Sequence, residues 1–516
     1  MNIPSSSPQK HETDWIAFFG ASALVLAVCV PLILFPGTGA DLLPAVYDWV
    51  ATNFGPFYLL AGSGTIILLL WLAFSRFGNV RIGGDDVAAE FSKLSWGGML
   101  FCAGVGAGLM YWAAIEWAYY LQTPPFGLEA RSIEAQGWAS AYGIFHWGPS
   151  AWAFYCLPTL AIAYAYHNRK GKVLRLSTGC SGFSWLAPNT VGGRVLDLIF
   201  MISLLGGAGS SLGFTTPMIA ALMARIIGVE PSFAMELIVM MVIIAVFAAS
   251  AAAGIRSGIK RLTDLNIWLL FGFLAFVLIC GPTVWLIKAS VNATGLVVQN
   301  FIHMNTWTEP FGSTGFVKDW TIFYWAWWVA YGPVVGLFVA RISRGRTIRE
   351  IVFGMLGFGS LGAGLFFMIL GNFGLWLEVK QGMDLTGMID DAGGSMAITE
   401  MIFQLPFPAL AAAVFCISAI VFSATTYDSA SYILASNATR SLPAGEDPAI
   451  WQRLFWALML GLLPLSLLFV GGQRVVQTAA LIVSLPLLVI GIFISWSLIR
   501  LLKADYPAKA KLPPEI

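Results

Sequence analysis

Residues 320–350 read WTIFYWAWWVAYGPVVGLFVARISRGRTIRE, and this stretch decides the fold class. Its central part, 321–340, contains no charged residue and is long enough to cross a bilayer as a helix. At helical spacing, most of its aromatic residues fall on one face or directly beside it: Tyr324, Trp328, Tyr331, Trp320 and Trp327. The pattern predicts a membrane-spanning helix lined with aromatic rings.

Gly332 and Pro333 interrupt this helical pattern, because proline removes a backbone donor and crowds the preceding turn. We predict a break there that faces protein or a water-filled cavity, since lipid cannot pair the freed backbone groups. Crowded electron-rich rings suit a cation with few hydrogen-bonding groups, such as a quaternary ammonium. An interfacial aromatic belt explains Trp320 but not Trp327 and Trp328, which lie deeper. A binding cage is the favoured interpretation.

The whole chain is too apolar for a soluble protein. Of its 516 residues, 58% are hydrophobic and 11% are charged, which indicates an all-α membrane protein with many spans. Twelve charge-poor segments are long enough to be transmembrane helices: 13–36, 56–76, 94–121, 138–166, 196–224, 232–254, 265–287, 321–340, 351–377, 404–436, 451–472 and 475–499.

The distribution of positive charge supports an even number of spans. If both termini are cytoplasmic, 22 of the 28 Lys and Arg residues lie on the inner side, as the positive-inside rule requires. We therefore predict a multi-pass protein of the bacterial inner (plasma) membrane, with cytoplasmic tails at 1–12 and 503–516 around one transmembrane domain at 13–502. The net charge of +1 gives no reason to expect a nucleic-acid partner.

The third predicted helix contains a run of glycines, Gly104, Gly106 and Gly108. Such a run either lets a ligand approach the backbone or lets helices pack closely. Helices three and eight are five apart, an odd offset that gives two repeated units opposite orientations in the membrane. Discontinuous helices at matching positions of an inverted repeat point to a binding site near the bilayer midplane, which favours the ligand interpretation for helix three.

The motifs WTIFYWAWW, GPVVG and ARISRGR resemble the signature of the betaine/choline/carnitine transporter family, and the resemblance extends over 96–436. It implies a leucine-transporter-like core in which helices 3–7 and 8–12 form a 5+5 inverted repeat, with two extra N-terminal helices. It also implies a lipid-embedded homotrimer.

The resemblance implies a substrate site for an onium compound between helices three, four and eight. Helix four contains FHWGPSAWAFYCLP, whose aromatic residues are also compatible with plain core packing. The carboxylate of a zwitterionic substrate would meet backbone N–H groups near the glycine break. The predicted substrate-binding residues are Trp147, Trp152, Tyr155, Trp327, Trp328, Tyr331, Gly106 and Gly108.

Helix ten contains VFSATTYDSASY, which resembles the stretch that completes a sodium site in sodium-coupled betaine transporters. Sodium as coupling ion is the one cofactor-like partner expected. The predicted ion-binding residues are Thr425 and Thr426 with backbone carbonyls of Cys102, Ala103 and Val105.

Several polar residues elsewhere in the apolar segments have more than one interpretation. The hydroxyls of GGAGSSLGFTTP in helix five are either ion ligands or bonded back to their own helix, and we favour the second. For the carboxylates Glu116 and Asp428, a functional role and a structural role are equally supported by the sequence. Asn266 stands where the sodium-independent carnitine antiporters carry an arginine, which leaves room for a cation.

The favoured function is secondary active import of a small quaternary-ammonium-type zwitterion: glycine betaine, carnitine or an analogue such as dimethylsulfoniopropionate. We expect sodium symport with alternating access. The alternative is sodium-independent exchange of carnitine for a betaine. A non-transport membrane protein is remote: the sequence has no charged ring for a channel and no nucleophile–base pair or metal-ligand motif for an enzyme.

Overall fold

The computed structural model describes residues 12–103, 106–171, 173–253, 256–440, 447–471 and 473–507. The predicted ligand Val105 and the glycine Gly104 lie outside these residues, as do most of both predicted tails. The described part is helical throughout, and its only β-type pairings are isolated bridges between Thr13 and Thr439 and between Arg81 and Thr347. The all-α prediction is therefore confirmed for this part of the chain.

The first half of the described chain contains ten helices: α1 (Trp15–Leu34), α2 (Pro36–Phe74), α3 (Lys93–Ala103), α4 (Ala107–Gln122), α5 (Ile133–His146), α6 (Pro149–Ala163), α7 (Leu176–Gly179), α8 (Val191–Ile227), α9 (Phe233–Ala253) and α10 (Arg256–Cys280). The second half contains α11 (Thr283–Thr306), α12 (Ile322–Ile342), α13 (Ile348–Gly354), α14 (Ser360–Phe366), α15 (Asn372–Gln381), α16 (Leu385–Ala392), α17 (Gly394–Phe403), α18 (Pro408–Asn437), α19 (Ile450–Val470) and α20 (Gln473–Asp505). Short π-helical turns at Met355–Gly359 and Phe367–Gly371 join α13, α14 and α15 into one long apolar run.

Among the described residues, eight helices are long and apolar enough to cross a membrane, or ten if two sharply bent pairs count as one span each. Helix is present in all twelve predicted segments. Two predicted segments contain no single helix that is long and apolar enough to cross a membrane. The segment 138–166 is divided between α5 and α6, and the apolar helix in 232–254 is a shorter one, Phe233–Ala249. The count of twelve and the inverted repeat stay predictions.

The break predicted at Gly332–Pro333 is wrong. The helix α12 runs without interruption from Ile322 to Ile342, with Pro333 inside it. Gly332 instead permits close packing, because a Cβ at this position would lie 2.8 Å from the carbonyl oxygen of Phe154 on α6. A proline is tolerated within a spanning helix where neighbouring helices satisfy the freed backbone groups.

The third and fourth predicted helices are both interrupted. In the third, α3 and α4 meet at an angle of 63°. In the fourth, which we predicted as one helix, α5 ends at His146 and α6 begins at Pro149. Proline suits the first position of a helix, where its missing N–H would have no intrahelical partner. The junction consists of Trp147 and Gly148, so a predicted cage residue lies at the interruption.

Another bend separates α10 from α11, whose axes meet at 110° around Gly281 and Pro282. The helix α11 exposes the apolar residues Val291, Val298 and Ile302. Such a helix suits the membrane interface, where an apolar face can enter the bilayer.

Aromatic side chains fill the interior where α4, α5 and α12 meet. Trp320, which the sequence assigned to an interfacial belt, is only 6% exposed. Its ring centroid lies 5.0 Å from that of Tyr119, 5.2 Å from that of Tyr120 and 5.8 Å from that of Trp112. The aromatic face of α12 is thus buried against other helices.

Candidate functional site

A cavity of about 100 Å³ lies between α4, α6, α8, α12 and α18, beside the end of α3. Such a volume suits a small solute, since pockets for drug-sized ligands are several times larger. Five aromatic residues from two predicted spans line it: Trp147, Tyr155, Trp327, Trp328 and Tyr331. The structure therefore brings together the rings that the sequence placed in separate segments.

Four of these five rings contact one another in pairs. Trp327 and Trp328 are nearly parallel, with centroids 5.2 Å apart and an interplanar angle of 10°. Trp147 stands at 71° to Trp328, with centroids 4.6 Å apart, and at 81° to Trp327. Tyr155 stands at 86° to Trp328. At these distances the rings touch one another, and the ring surfaces that remain toward the cavity can attract a cation.

Each indole N–H of the cage is held by an acceptor. Trp327 Nε1 donates to the carbonyl of Gly207 on α8 at 3.2 Å. Trp328 Nε1 donates to the carbonyl of His146 at 2.8 Å. Trp147 Nε1 donates to Glu116 Oε2 at 3.2 Å. The polar edge of each ring is thereby satisfied by protein, and the ring orientations are fixed before a ligand arrives.

The predicted glycines Gly106 and Gly108 both line the cavity. A Cβ at Gly108 would lie 3.0 Å from Ser211 Oγ and 3.2 Å from the Trp327 ring, so only glycine lets α4 approach both neighbours this closely. Gly106 is the N-cap of α4. The unpaired amides and the dipole of a helix N-terminus favour a carboxylate, and α4 begins at this wall.

Trp152, which the sequence placed in the cage, does not line the cavity. It is 2% exposed and packs edge-on against Tyr155, with centroids 5.4 Å apart. A Cβ at Gly359 would overlap its indole, so the ring is enclosed on that side as well. Trp152 supports the wall formed by Tyr155 from behind.

The predicted ion ligands are only partly assembled. Ala103 and Thr426 line the cavity, and a Cβ at Gly106 would lie 4.0 Å from Thr426 Oγ1. Thr425 Oγ1 donates to the Phe422 carbonyl of its own helix at 3.2 Å. Cys102 lies in α3 and is not part of the lining. Of the two threonines, Thr426 lines the cavity and Thr425 does not.

Two of the four hydroxyls of helix five bond to their own helix, as favoured. Ser210 Oγ donates to the Gly206 carbonyl at 2.9 Å, and Thr215 Oγ1 donates to the Ser211 carbonyl at 3.0 Å. Ser211 itself lines the cavity. Ser211 lies one helical turn after Gly207, whose carbonyl accepts the hydrogen bond from Trp327, so both residues are on the face of α8 that is directed toward the cage.

The two carboxylates that the sequence left open have different surroundings. Asp428 accepts a hydrogen bond from Arg453 on α19 at 3.1 Å, so it joins two helices away from the cavity lining. Glu116 accepts from Tyr324 at 2.5 Å and from Trp147 at 3.2 Å. It is linked directly to a cage ring, a connection that no sequence spacing could indicate because the partners come from three predicted spans.

A bundle of long apolar helices around an aromatic-walled cavity is the architecture of a multi-span membrane transporter. The chain belongs to the betaine/carnitine/choline transporter family, whose model (BCCT, betaine/carnitine/choline family transporter) matches residues 16–507. The resemblance of the motifs is thereby confirmed.

Three similar proteins come from bacteria. An uncharacterized transporter of Escherichia coli K12, YeaV, is 36% identical over 85% of this chain and 91% of its own length. A carnitine transporter of Acinetobacter baumannii is 33% identical over 91% of this chain and 84% of its own. A glycine betaine transporter of Acinetobacter baylyi is 30% identical over 98% of this chain and 76% of its own.

Proposed function

We propose that this protein imports a small quaternary-ammonium-type zwitterion across the bacterial inner membrane as a secondary active transporter. Glycine betaine, carnitine and dimethylsulfoniopropionate are the substrates we would test. The observation that carries the proposal is the cavity walled by Trp147, Tyr155, Trp327, Trp328 and Tyr331. The names of the two Acinetobacter relatives support it.

The cage suits the onium end of such a substrate for a physical reason. A methylated ammonium or sulfonium group has positive charge but no N–H to donate, so it gains little from polar walls and much from ring faces. The carboxylate end is the complement of the α4 N-terminus at Gly106. A zwitterion with both charges a short distance apart therefore fits the two ends of one small cavity.

Sodium symport is the coupling mode that we propose. The Thr426 hydroxyl, which lines the cavity with Ala103 and Gly106, would be one oxygen ligand, and the backbone carbonyls of Cys102 and Ala103 would be others. An ion there and a substrate carboxylate at α4 would both stabilise the same arrangement of the interrupted helix. Each ligand would then raise the affinity for the other, which is the thermodynamic requirement for coupling. Alternation of access would follow from movement of the helices around this midplane site.

The test is uptake of radiolabelled glycine betaine and carnitine into proteoliposomes that contain the purified protein. We expect uptake driven by an inward sodium gradient and abolished when potassium replaces sodium on both sides. Protein-free liposomes and liposomes with the Trp328→Leu variant are the controls. Equal uptake with and without sodium contradicts symport, and absence of uptake of every onium compound contradicts the substrate class.

Sodium-independent exchange is the second candidate, and one observation favours it. Thr425, the other predicted hydroxyl ligand, donates to the Phe422 carbonyl, so Thr426 alone of the two threonines lines the cavity. Exchange predicts that liposomes preloaded with unlabelled carnitine take up labelled substrate faster than empty ones, without sodium. Symport predicts that preloading without sodium has no such effect.

A further inference from the structure

A cluster of titratable side chains lies behind the cage, outside the cavity lining. Glu116 and Tyr120 belong to α4, His146 ends α5, and Tyr324 belongs to α12. All four side chains are fully buried, at 0% exposure. A carboxylate and an imidazole enclosed together in a membrane protein are costly unless they are paired, and such groups are commonly functional.

The cluster is one continuous hydrogen-bond network. Glu116 Oε2 accepts from Tyr324 at 2.5 Å and from Trp147 Nε1 at 3.2 Å, and Glu116 Oε1 accepts from Tyr120. The Tyr120 hydroxyl also lies 2.7 Å from His146 Nδ1. With three donors directed at its two oxygens, the Glu116 side chain acts only as an acceptor in this network.

These contacts determine where a proton can be added. Because Tyr120 gives its proton to Glu116, His146 Nδ1 must be the donor to the Tyr120 oxygen. His146 Nε2 then faces Thr321 Oγ1 at 3.1 Å, and a hydroxyl can donate to a neutral ring or accept from a protonated one. Nε2 is therefore a vacant proton position with its partner already in place.

Adding that proton changes the net charge of the network from −1 to zero. His146 Nδ1 lies 3.5 Å from Glu116 Oε1, so the proton belongs to the coupled pair rather than to one residue. Other titratable groups around the pair are phenols and one loop carboxylate: Tyr120, Tyr142, Tyr324, Tyr111 beyond it, and Glu309 beyond Tyr142. Lys318 and Asp319, just before Thr321, are paired with Asp48 and Arg474 instead.

The network shares two residues with the cage. Trp147 lines the cavity with its ring and donates its N–H to Glu116. Trp328 lines the cavity and donates to the backbone carbonyl of His146. An onium group in the cavity would lie against a face of Trp147, while Glu116 lies at the N–H edge of the same ring, so a single indole separates the two charges. Across roughly 10 Å of protein interior, a unit charge changes the affinity for a cation about tenfold.

We propose that the Glu116–His146 pair is a proton-binding site that opposes substrate binding, so that the unprotonated pair holds the onium group tightly and the protonated pair releases it. This inference rests on the proposed function. By reciprocity, binding of the onium group expels a proton from the pair. Glu116 and His146 are then positioning residues that act through Trp147 and Trp328.

The experiment measures glycine betaine binding to the purified full-length protein by calorimetry between pH 5.5 and 8.5 at constant, saturating sodium. We expect the affinity of the wild-type protein to fall about tenfold on acidification. Binding in buffers of different ionisation heat should reveal proton release near the midpoint of that fall, which a purely structural brace would not produce.

Two variants distinguish the effect of the Glu116 charge from the effect of proton binding by His146. Glu116→Gln should bind about tenfold more weakly even at alkaline pH, because the attracting charge is gone. His146→Gln should keep the high affinity of the alkaline wild-type protein at every pH, because the ring that accepts the proton is gone. The matched control is His303→Gln, an exposed histidine on α11, which should follow the wild-type pH profile.

The outcomes distinguish this inference from the proposed function. If no onium compound binds at any pH, the proposed function fails. Tight wild-type binding that is independent of pH, or a wild-type pH profile that survives in His146→Gln, overturns the inference alone. If Glu116→Gln does not fold, as judged by its melting temperature, the pH dependence of glycine betaine affinity in the wild-type protein and in His146→Gln still tests the inference.

Discussion

The two sides of the cavity are built in different ways. On the aromatic side every indole N–H already has an acceptor on another helix: Trp327 on Gly207, Trp328 on His146 and Trp147 on Glu116. On the other side, Gly106 and Thr426 approach each other beside the junction of α3 and α4, and Thr425 is bonded back to its own helix.

This difference suggests a division of tasks. A cage whose rings are held by satisfied hydrogen bonds loses little entropy when a ligand arrives, so it supplies affinity. The other side brings the N-terminus of α4 and a hydroxyl of α18 to the same part of the cavity, so it is suited to coupling ion and substrate. Substitutions on the two sides should therefore change different measured quantities.

The largest effect is expected where the two sides meet, at Gly108. In Gly108→Val the added carbons would press on Ser211 and Trp327, where even a Cβ would lie only 3.0 Å and 3.2 Å away. We expect glycine betaine binding to weaken by at least about a hundredfold, because overpacking both displaces a cage ring and fills a cavity of about 100 Å³.

The matched control is Gly64→Val on α2, where a Cβ meets nothing within 4 Å. Calorimetry with glycine betaine measures the affinity of both variants, and melting temperatures monitor folding. Wild-type affinity in Gly108→Val would show that α4 does not touch the ligand.

The next effect tests the cage itself. Trp328→Leu keeps an apolar side chain but removes a ring that stacks on Trp327 and stands across from Trp147 and Tyr155. We expect the apparent affinity for glycine betaine to fall at least about tenfold, as the loss of a desolvated cation–π contact predicts. The sodium dependence of the remaining uptake should not change.

Trp268→Leu is the matched control, because Trp268 is exposed on α10 and should be dispensable for binding. Uptake kinetics in proteoliposomes give both apparent affinities. Unchanged kinetics in Trp328→Leu would contradict the cage.

Much of the aromatic side could be predicted from the sequence. The helical spacing of Trp328 and Tyr331 fixes one face of α12, and Trp147 and Tyr155 come from a recognisable motif on the next wall. Trp152, which was predicted for the same wall, packs against Tyr155 and is not part of the cavity lining.

The backbone interruptions were harder to predict, for a physical reason. Gly332–Pro333 and Gly148–Pro149 are the same dipeptide, yet α12 continues through the first and a new helix begins at the second. What differs is tertiary: Gly332 allows the Phe154 carbonyl to approach. The Glu116 network also depends on contacts between predicted spans, so local sequence could flag the carboxylate but not its partners.

Two neighbouring threonines, Thr425 and Thr426, test the part of the cavity that we assign to sodium coupling. Thr426→Val should raise the sodium concentration for half-maximal uptake about tenfold, because one oxygen ligand to a cation is lost. Thr425→Val is the matched control, since its hydroxyl bonds to Phe422, and we expect a shift of no more than about twofold. Substrate affinity at saturating sodium should be preserved in both variants. A larger shift in Thr425→Val than in Thr426→Val would mean that helix α18 turns its other hydroxyl to the ion when sodium binds.

The smallest effect concerns the support behind the cage. Trp152→Phe keeps an aromatic ring against Tyr155 but loses part of the packing enclosed by Gly359. An aromatic pair contributes about 1 kcal/mol beyond its burial, so we expect a few-fold loss of glycine betaine affinity and a slightly lower melting temperature. The loss should disappear when Tyr155→Leu is already present, because Trp152 acts only through that ring. If instead the double variant loses as much again as Trp152→Phe alone, the two effects are independent, and Trp152 reaches the substrate by a route that does not pass through Tyr155.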